Sequence, residues 1–215
     1  MIRTLGRALE GPDGTTIATE RPPVPNISDR VEVIWHDKRL ISPDQRKKAY
    51  ALMAEIAEWS GNTPDEIKSA MKVDFRAKTL ETMHSELISL ADADMSTARE
   101  FISFLIDFMI ENDVPSSRPL VDLADDIARY VYACCIHRIC AVCGRLGEIH
   151  HIDRVGMGGD RKEMCHIGMR VLPLCRAHHQ EAHERGDAWI MREYHLELVE
   201  VDERIAKANK LGRAK

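Results

Sequence analysis

The chain has 215 residues, 44% of them hydrophobic, and carries 30 Lys and Arg against 35 Asp and Glu, a formal net charge of −5. That is enough chain for one moderate core and a smaller metal-stabilised module, and the net acidity argues against tight binding to a polyanion through bulk charge alone. No apolar run is long enough to span a membrane and the amino terminus lacks the apolar stretch of a secretion signal, so the expectation is a cytoplasmic protein whose cysteines stay reduced.

Residues 1–40 read as a small β-rich segment. Val31 to Trp35 alternates as a strand does, and Pro22, Pro23 and Pro25 mark an irregular connection before it. Residues 41–131 read as a helical domain. Ser42-Pro43-Asp44-Gln45 supplies an N-cap serine, a proline at the first helical position and a capping-box glutamine, and Ala49, Leu52, Met53, Ile56 and Ala57 then form an apolar stripe. Thr63-Pro64-Asp65-Glu66 repeats the device ahead of Ile67, Ala70, Met71 and Phe75. A third helix is expected from Ser96 or Thr97, striped by Phe101, Leu105, Phe108 and Met109, and a fourth from Leu120 to Cys135. Cys134 and Cys135 end that apolar pattern and read as small buried residues. These stripes are core material, and residues 1–130 hold no cluster able to do chemistry.

The chemistry concentrates further on. Residues 136–195 hold eight of the ten histidines and nine Lys/Arg against eight Asp/Glu, which leaves twenty-one against twenty-seven elsewhere, so the acidity lies outside this stretch. Cys140-Ala-Val-Cys143 and Cys175-Arg-Ala-His178 are two knuckles about thirty residues apart, the spacing of a tetrahedral structural zinc, because each tight turn aims two side chains at one point. A second set is interleaved with the first. His179 and His183 stand four apart in a segment free of Gly and Pro, and on a helix that puts both imidazoles on one face, where they can share an ion. A third ligand must come from elsewhere, and Glu148-Ile-His150-His151-Ile reads as a short strand whose neighbouring side chains point to opposite sides. One of His150 and His151 can therefore face the ion, leaving the other beside it as a group able to move a proton near neutral pH.

In that order, C-x2-C, then His-His on a short strand, then C-x2-His-His-x3-His, the chain resembles the HNH endonucleases, whose ββα-metal motif is a hairpin and a helix clasping one ion. Residues from about 30 to 195 are similar to the HNH nucleases predicted in phages and prophages, which share the phrases Tyr-Val-Tyr-Ala-Cys134, Cys140-Ala-Val-Cys-Gly144, Ile149-His-His151 and Leu174-Cys-Arg-x-His-His-x-Glu-Ala-His183. The resemblance implies an α+β fold with a small β-rich amino-terminal part, a helical middle, and a carboxy-terminal ββα-metal module with structural zinc over residues 132–200, followed by a helical tail over 201–215. It implies His150, His179 and His183 as ligands of a catalytic divalent ion (Mg2+, Mn2+, Ni2+ or Zn2+), His151 as general base, and Cys140, Cys143, Cys175 and His178 as ligands of a structural Zn2+. The implied substrate is DNA, whether duplex, single-stranded or branched, in a bacterial host cytoplasm.

One position departs from the pattern. An Asn usually stands five residues before the third zinc ligand, where it orients the base histidine, but Arg170 occupies that place. His166 or a backbone carbonyl takes over the task, or activity is weakened. Between the halves of the site, Asp153 to Lys162 contains Gly156, Gly158 and Gly159 with Arg154, Arg161 and Lys162, a set able to contact a DNA backbone and equally compatible with an ordinary loop. Met95 to Val114 also resembles the phage Orf/NinB recombination proteins. That likeness implies a recombination-associated domain that delivers DNA to the nuclease, with partners among replication or recombination proteins, while Arg170 in the Asn place keeps open a second function, a non-catalytic zinc-stabilised DNA-binding accessory protein.

Overall fold

The computed structural model describes residues 6–11, 14–19, 39–79, 87–153 and 166–211. The chain forms two compact units, Met1–Trp35 and His36–Lys215. The first contains a hairpin of β1 (Gly6–Gly11) and β2 (Gly14–Thr19), antiparallel with Gly6 opposite Thr19 and Gly11 opposite Gly14. Both strands lie within the segment 1–40 that reads as β-rich, at residues where the sequence marks no particular strand. The strand expected at Val31–Trp35 lies outside the described residues.

The second unit starts with the helix whose start signals are plainest. In α1 (Pro43–Ser60), Ser42 Oγ accepts the Gln45 amide while Gln45 Oε1 accepts the Ser42 amide, each at 3.1 Å, so two of the orphan donors of the first turn are satisfied reciprocally. The Gln45 side chain also donates to Met95 O at 3.2 Å, which ties the cap to the first residue of the third helix. α2 (Pro64–Thr79) opens with the same reciprocal pairing between Thr63 and Glu66.

α3 (Met95–Glu111) is the spine of the unit. It starts one residue before the expected serine because Asp94 is the cap, its carboxylate accepting the Thr97 amide at 2.8 Å. Phe101, Ile102, Leu105, Ile106 and Met109 are sealed from solvent, and Phe101 meets Phe75 of α2 edge to face with ring centres 5.2 Å apart. The fourth helix is shorter than its apolar pattern. Leu120–Asp122 makes one 3-10 turn and α4 runs only over Ile127–His137, because Asp126 caps it by accepting the Arg129 amide at 3.0 Å. Arg129 then reaches back between Glu100 and Asp107 of α3.

α4 links this helical layer to the half that carries the two Cys/His clusters. It packs on α3, on β4 (Arg170–Leu174) and on α7 (Glu203–Ala208). Its Tyr130 hydroxyl donates to Ala141 O in the first knuckle at 2.9 Å, and Asn209 past α7 donates to Cys135 O at 2.8 Å. β3 (Glu148–His151) and β4 form the antiparallel hairpin, with His150 opposite Leu172 and His151 opposite Val171. A third strand, β5 (Val199–Glu200), extends the sheet on the far side of β4. α5 (Arg176–Arg185) follows β4 directly and α6 (Asp187–Glu193) follows α5 across Gly186. Among the described residues no helix is long and apolar enough to cross a membrane.

The Tyr130 bond predicts a measurable asymmetry between two tyrosines of α4. Tyr130→Phe strands a buried carbonyl and is expected to cost about 1–2 kcal/mol. Tyr132→Phe removes a more exposed bond to Asp202 and is expected to cost less; urea midpoints of the two variants check this.

Candidate metal centre

The zinc knuckle is built by a tight turn and a helix start. Cys140 and Cys143 sit in a turn closed by Ile139 pairing with Leu146 and by the Cys140 amide donating to Arg145 O at 2.6 Å. Gly147 makes that closure possible, since a Cβ on it would stand 2.8 Å from Cys140 N and 2.8 Å from the Ile139 carbonyl carbon. Cys175 is the N-cap residue of α5, and His178 is one turn further along. His178 Nδ1 lies 3.3 Å from Cys140 Sγ and 3.4 Å from Cys175 Sγ, and the Cys143 and Cys175 sulfurs are 3.8 Å apart. Two thiolates each about 2.3 Å from a tetrahedral ion stand roughly 3.8 Å apart, so the cluster already has the dimensions of a zinc site.

Its electrostatics call for a cation. Burial pushes the Cys140 thiol up to about 12, so its thiolate is disfavoured without a positive partner. Burial also opposes the Cys143 thiolate, but the Arg145 side chain and amide outweigh it and hold that thiol below its ordinary value. Arg145 donates from Nε to Cys143 Sγ at 3.3 Å and approaches Cys175 Sγ at 3.8 Å. Three thiolates around one zinc would leave a net negative charge, which the guanidinium would offset.

The second cluster shares α5 with the first. His150 projects from β3 into the protein, only 3% exposed, and its ring meets His179 and His183 edge-on with centres 4.6 and 5.1 Å away. His179 and His183, one turn apart, stack at 4.9 Å. One ring nitrogen from each of the three lies within 4.8 Å of the others. Burial, then the neighbouring His150 and His183, hold the His179 imidazole below its ordinary value, which keeps it in the neutral form that a metal ligand requires. The donor set therefore fits a divalent ion bound by imidazoles with further positions open to oxygen.

His151 faces the other side of β3, as strand alternation requires. Its Nε2 is 2.9 Å from Nδ1 of His166, which is buried. Arg170 forks onto Asp153: Nη2 donates to Oδ1 at 2.6 Å and the Arg170 amide donates to Oδ2 at 2.7 Å. The Ile152 amide donates to Arg170 O at 3.0 Å, so the Asp153 carboxylate carries the β3–β4 pairing one step past His151. The Arg170 side chain holds that carboxyl below the usual carboxylate range. Arg154, Arg161, Lys162 and Cys165 lie outside the described residues.

Sequence reasoning missed two members of these clusters. Arg145 follows Cys143 by two residues, and that nearness was its only signal. Asp187 gave a fainter one, since it follows His183 by four residues but across Gly186; in the structure its Oδ1 lies 2.7 Å from His150 Nε2.

A family profile described as "Putative HNHc nuclease" matches residues 19–212. The chain belongs to this HNH nuclease family. No curated protein and no solved structure gives a match. Within the family framework the β3–β4 hairpin and α5 are consistent with the ββα-metal element, with the Cys/His knuckle at its base.

A cluster with these dimensions is expected to retain about one zinc per chain through purification. Cys143→Ser should lower that content and destabilise the carboxy-terminal half. Gly147→Ala should do the same without touching a ligand, because the new methyl group meets backbone on two sides; elemental analysis and thermal melts of both variants read the effect.

Proposed function

We propose that this HNH-family nuclease is a metal-dependent DNA endonuclease. The observation that carries the reading is the split of adjacent residues on β3, with His150 turned into the three-imidazole cluster and His151 turned to His166. His150, His179 and His183 hold the divalent ion. When bound, it neutralises charge on the scissile phosphate and stabilises the departing 3′ oxygen.

His151 is the general base. We assign His151 the tautomer in which its Nε2–H donates to His166 Nδ1, 2.9 Å away, which puts the basic lone pair on His151 Nδ1. Water attacks phosphorus, its proton passes to that nitrogen, and the bond from phosphorus to the 3′ oxygen breaks. The resulting imidazolium keeps its Nε2–H bond to His166, so the base is held in one orientation before and after proton transfer. His166 thereby acts as a positioning residue in place of the absent Asn. The Asp153–Arg170 clip supports the same end by holding the chain just beyond His151.

Residues 41–131 supply recognition of DNA structure or of a replication or recombination partner. The exposed charge on α1 and α2 and the likeness of Met95 to Val114 to Orf/NinB proteins support this, and they point to phage recombination or replication as the setting. With a net charge of −5, affinity should fall readily with salt. Arg170 in the place of Asn favours a second reading, a DNA-binding accessory protein without cleavage.

Plasmid and single-stranded DNA incubated with the protein, with and without Mg2+, Mn2+, Ni2+ or Zn2+, separate the two readings. His151→Ala is expected to slow cleavage about 10²- to 10⁴-fold and leave divalent-ion binding nearly intact. His183→Ala should lose both, and His166→Ala should slow cleavage less than His151→Ala. Equal loss of ion affinity in the His151 and His183 variants would mean the roles on β3 are reversed, and no cleavage with any metal would favour the accessory reading.

A further inference from the structure

We infer that Asp187 is a positioning residue of the three-histidine ion site, acting through His150. This rests on the reading of His150, His179 and His183 as ion ligands and deepens it. His150 is the most buried of the three, and a buried imidazole has to commit both nitrogens: one toward the ion, the other toward a hydrogen-bond acceptor. Asp187 Oδ1, 2.7 Å from His150 Nε2, is that acceptor. A carboxylate there fixes the Nε2–H tautomer and leaves the Nδ1 lone pair for the ion.

The backbone is arranged to bring the carboxylate to this place. α5 carries His179 and His183 and ends at Gly186, whose φ of 92° and ψ of 152° are open to glycine and strained for other residues. That turn sends the chain directly into α6, whose first residue is Asp187. Ile190, fully buried, anchors α6 so that the carboxylate reaches back to β3. The cluster of ring nitrogens consists of the three histidines, and Asp187 touches it through His150, which makes it an outer partner of the ion and not a fourth ligand.

A merely structural role is the competing account, since an acidic residue at a helix start also favours the helix dipole. Ion affinity distinguishes the two. Titration of full-length zinc-loaded protein with Ni2+ by calorimetry is expected to show one site beyond the structural zinc. Asp187→Ala should weaken that site about 10- to 100-fold, the usual cost of losing such a partner, while zinc content stays near one per chain. Asp187→Asn keeps an acceptor oxygen and should fall between the two. A nickel affinity in Asp187→Ala within about twofold of the parent would overturn the proposal, as would loss of the structural zinc in that variant, which would reveal a scaffold role. A parent protein that binds no nickel beyond the zinc site would overturn the three-histidine reading, and this inference with it.

Discussion

One short helix has to satisfy two donor clusters at once, and the half of the chain that carries them is organised around that constraint. Cys175, His178, His179 and His183 all lie at or within α5, and the adjacent His178 and His179 diverge by about 100° of helical rotation, so one faces the knuckle and the other faces β3. The position of His179 relative to His150 therefore depends on where the knuckle holds the start of α5. Any slackening of the Cys140–Cys143 turn would be passed along the helix to the imidazole cluster, although none of the knuckle residues belongs to it.

The same compactness creates the electrostatic demands that the surrounding residues answer. Burial opposes the thiolates at Cys140 and Cys143 and the protonated forms of His178 and His179. A bound cation would meet the first preference, and the second leaves imidazoles ready to bind one. Arg145 lies against the Cys143 and Cys175 sulfurs and Asp187 against His150, so the cysteine cluster has a guanidinium at its rim and the histidine cluster a carboxylate. Cys134 and Cys135 belong to neither donor set and are buried at the end of α4, where burial pushes both thiols up, Cys134 to about 12.

The helical layer supports this arrangement through α4. With α3 on one side and β4 on the other, it ties its hydroxyl at Tyr130 to the knuckle carbonyl of Ala141, and the Arg129 link to Glu100 and Asp107 fixes its rotation against the spine helix. Cys135 O receives Asn209 from beyond α7, so the carboxy-terminal segment also closes onto α4. The metal half and the helical layer meet in one compact unit, His36–Lys215.

What the sequence determined by itself was whatever depends on neighbours within about one turn or one knuckle. The Ser42–Gln45 and Thr63–Glu66 caps, the two Cys/His knuckles, the four-residue spacing of His179 and His183 and the opposed faces of His150 and His151 are all set by local geometry. Even there, competition among nearby carboxylates shifted boundaries, with Asp94 starting α3 early and Asp126 cutting the fourth helix short. Tertiary structure decided the pairings between residues far apart along the chain: His151 with His166, Arg170 with Asp153, His150 with Asp187, and β5 with β4. None of these has a period or a spacing to reveal it, because each depends on how a strand, a turn and a helix happen to converge. His166 was already a candidate from the sequence, whereas the contact of Asp187 with His150 became visible only once the hairpin and α5–α6 had been folded onto each other.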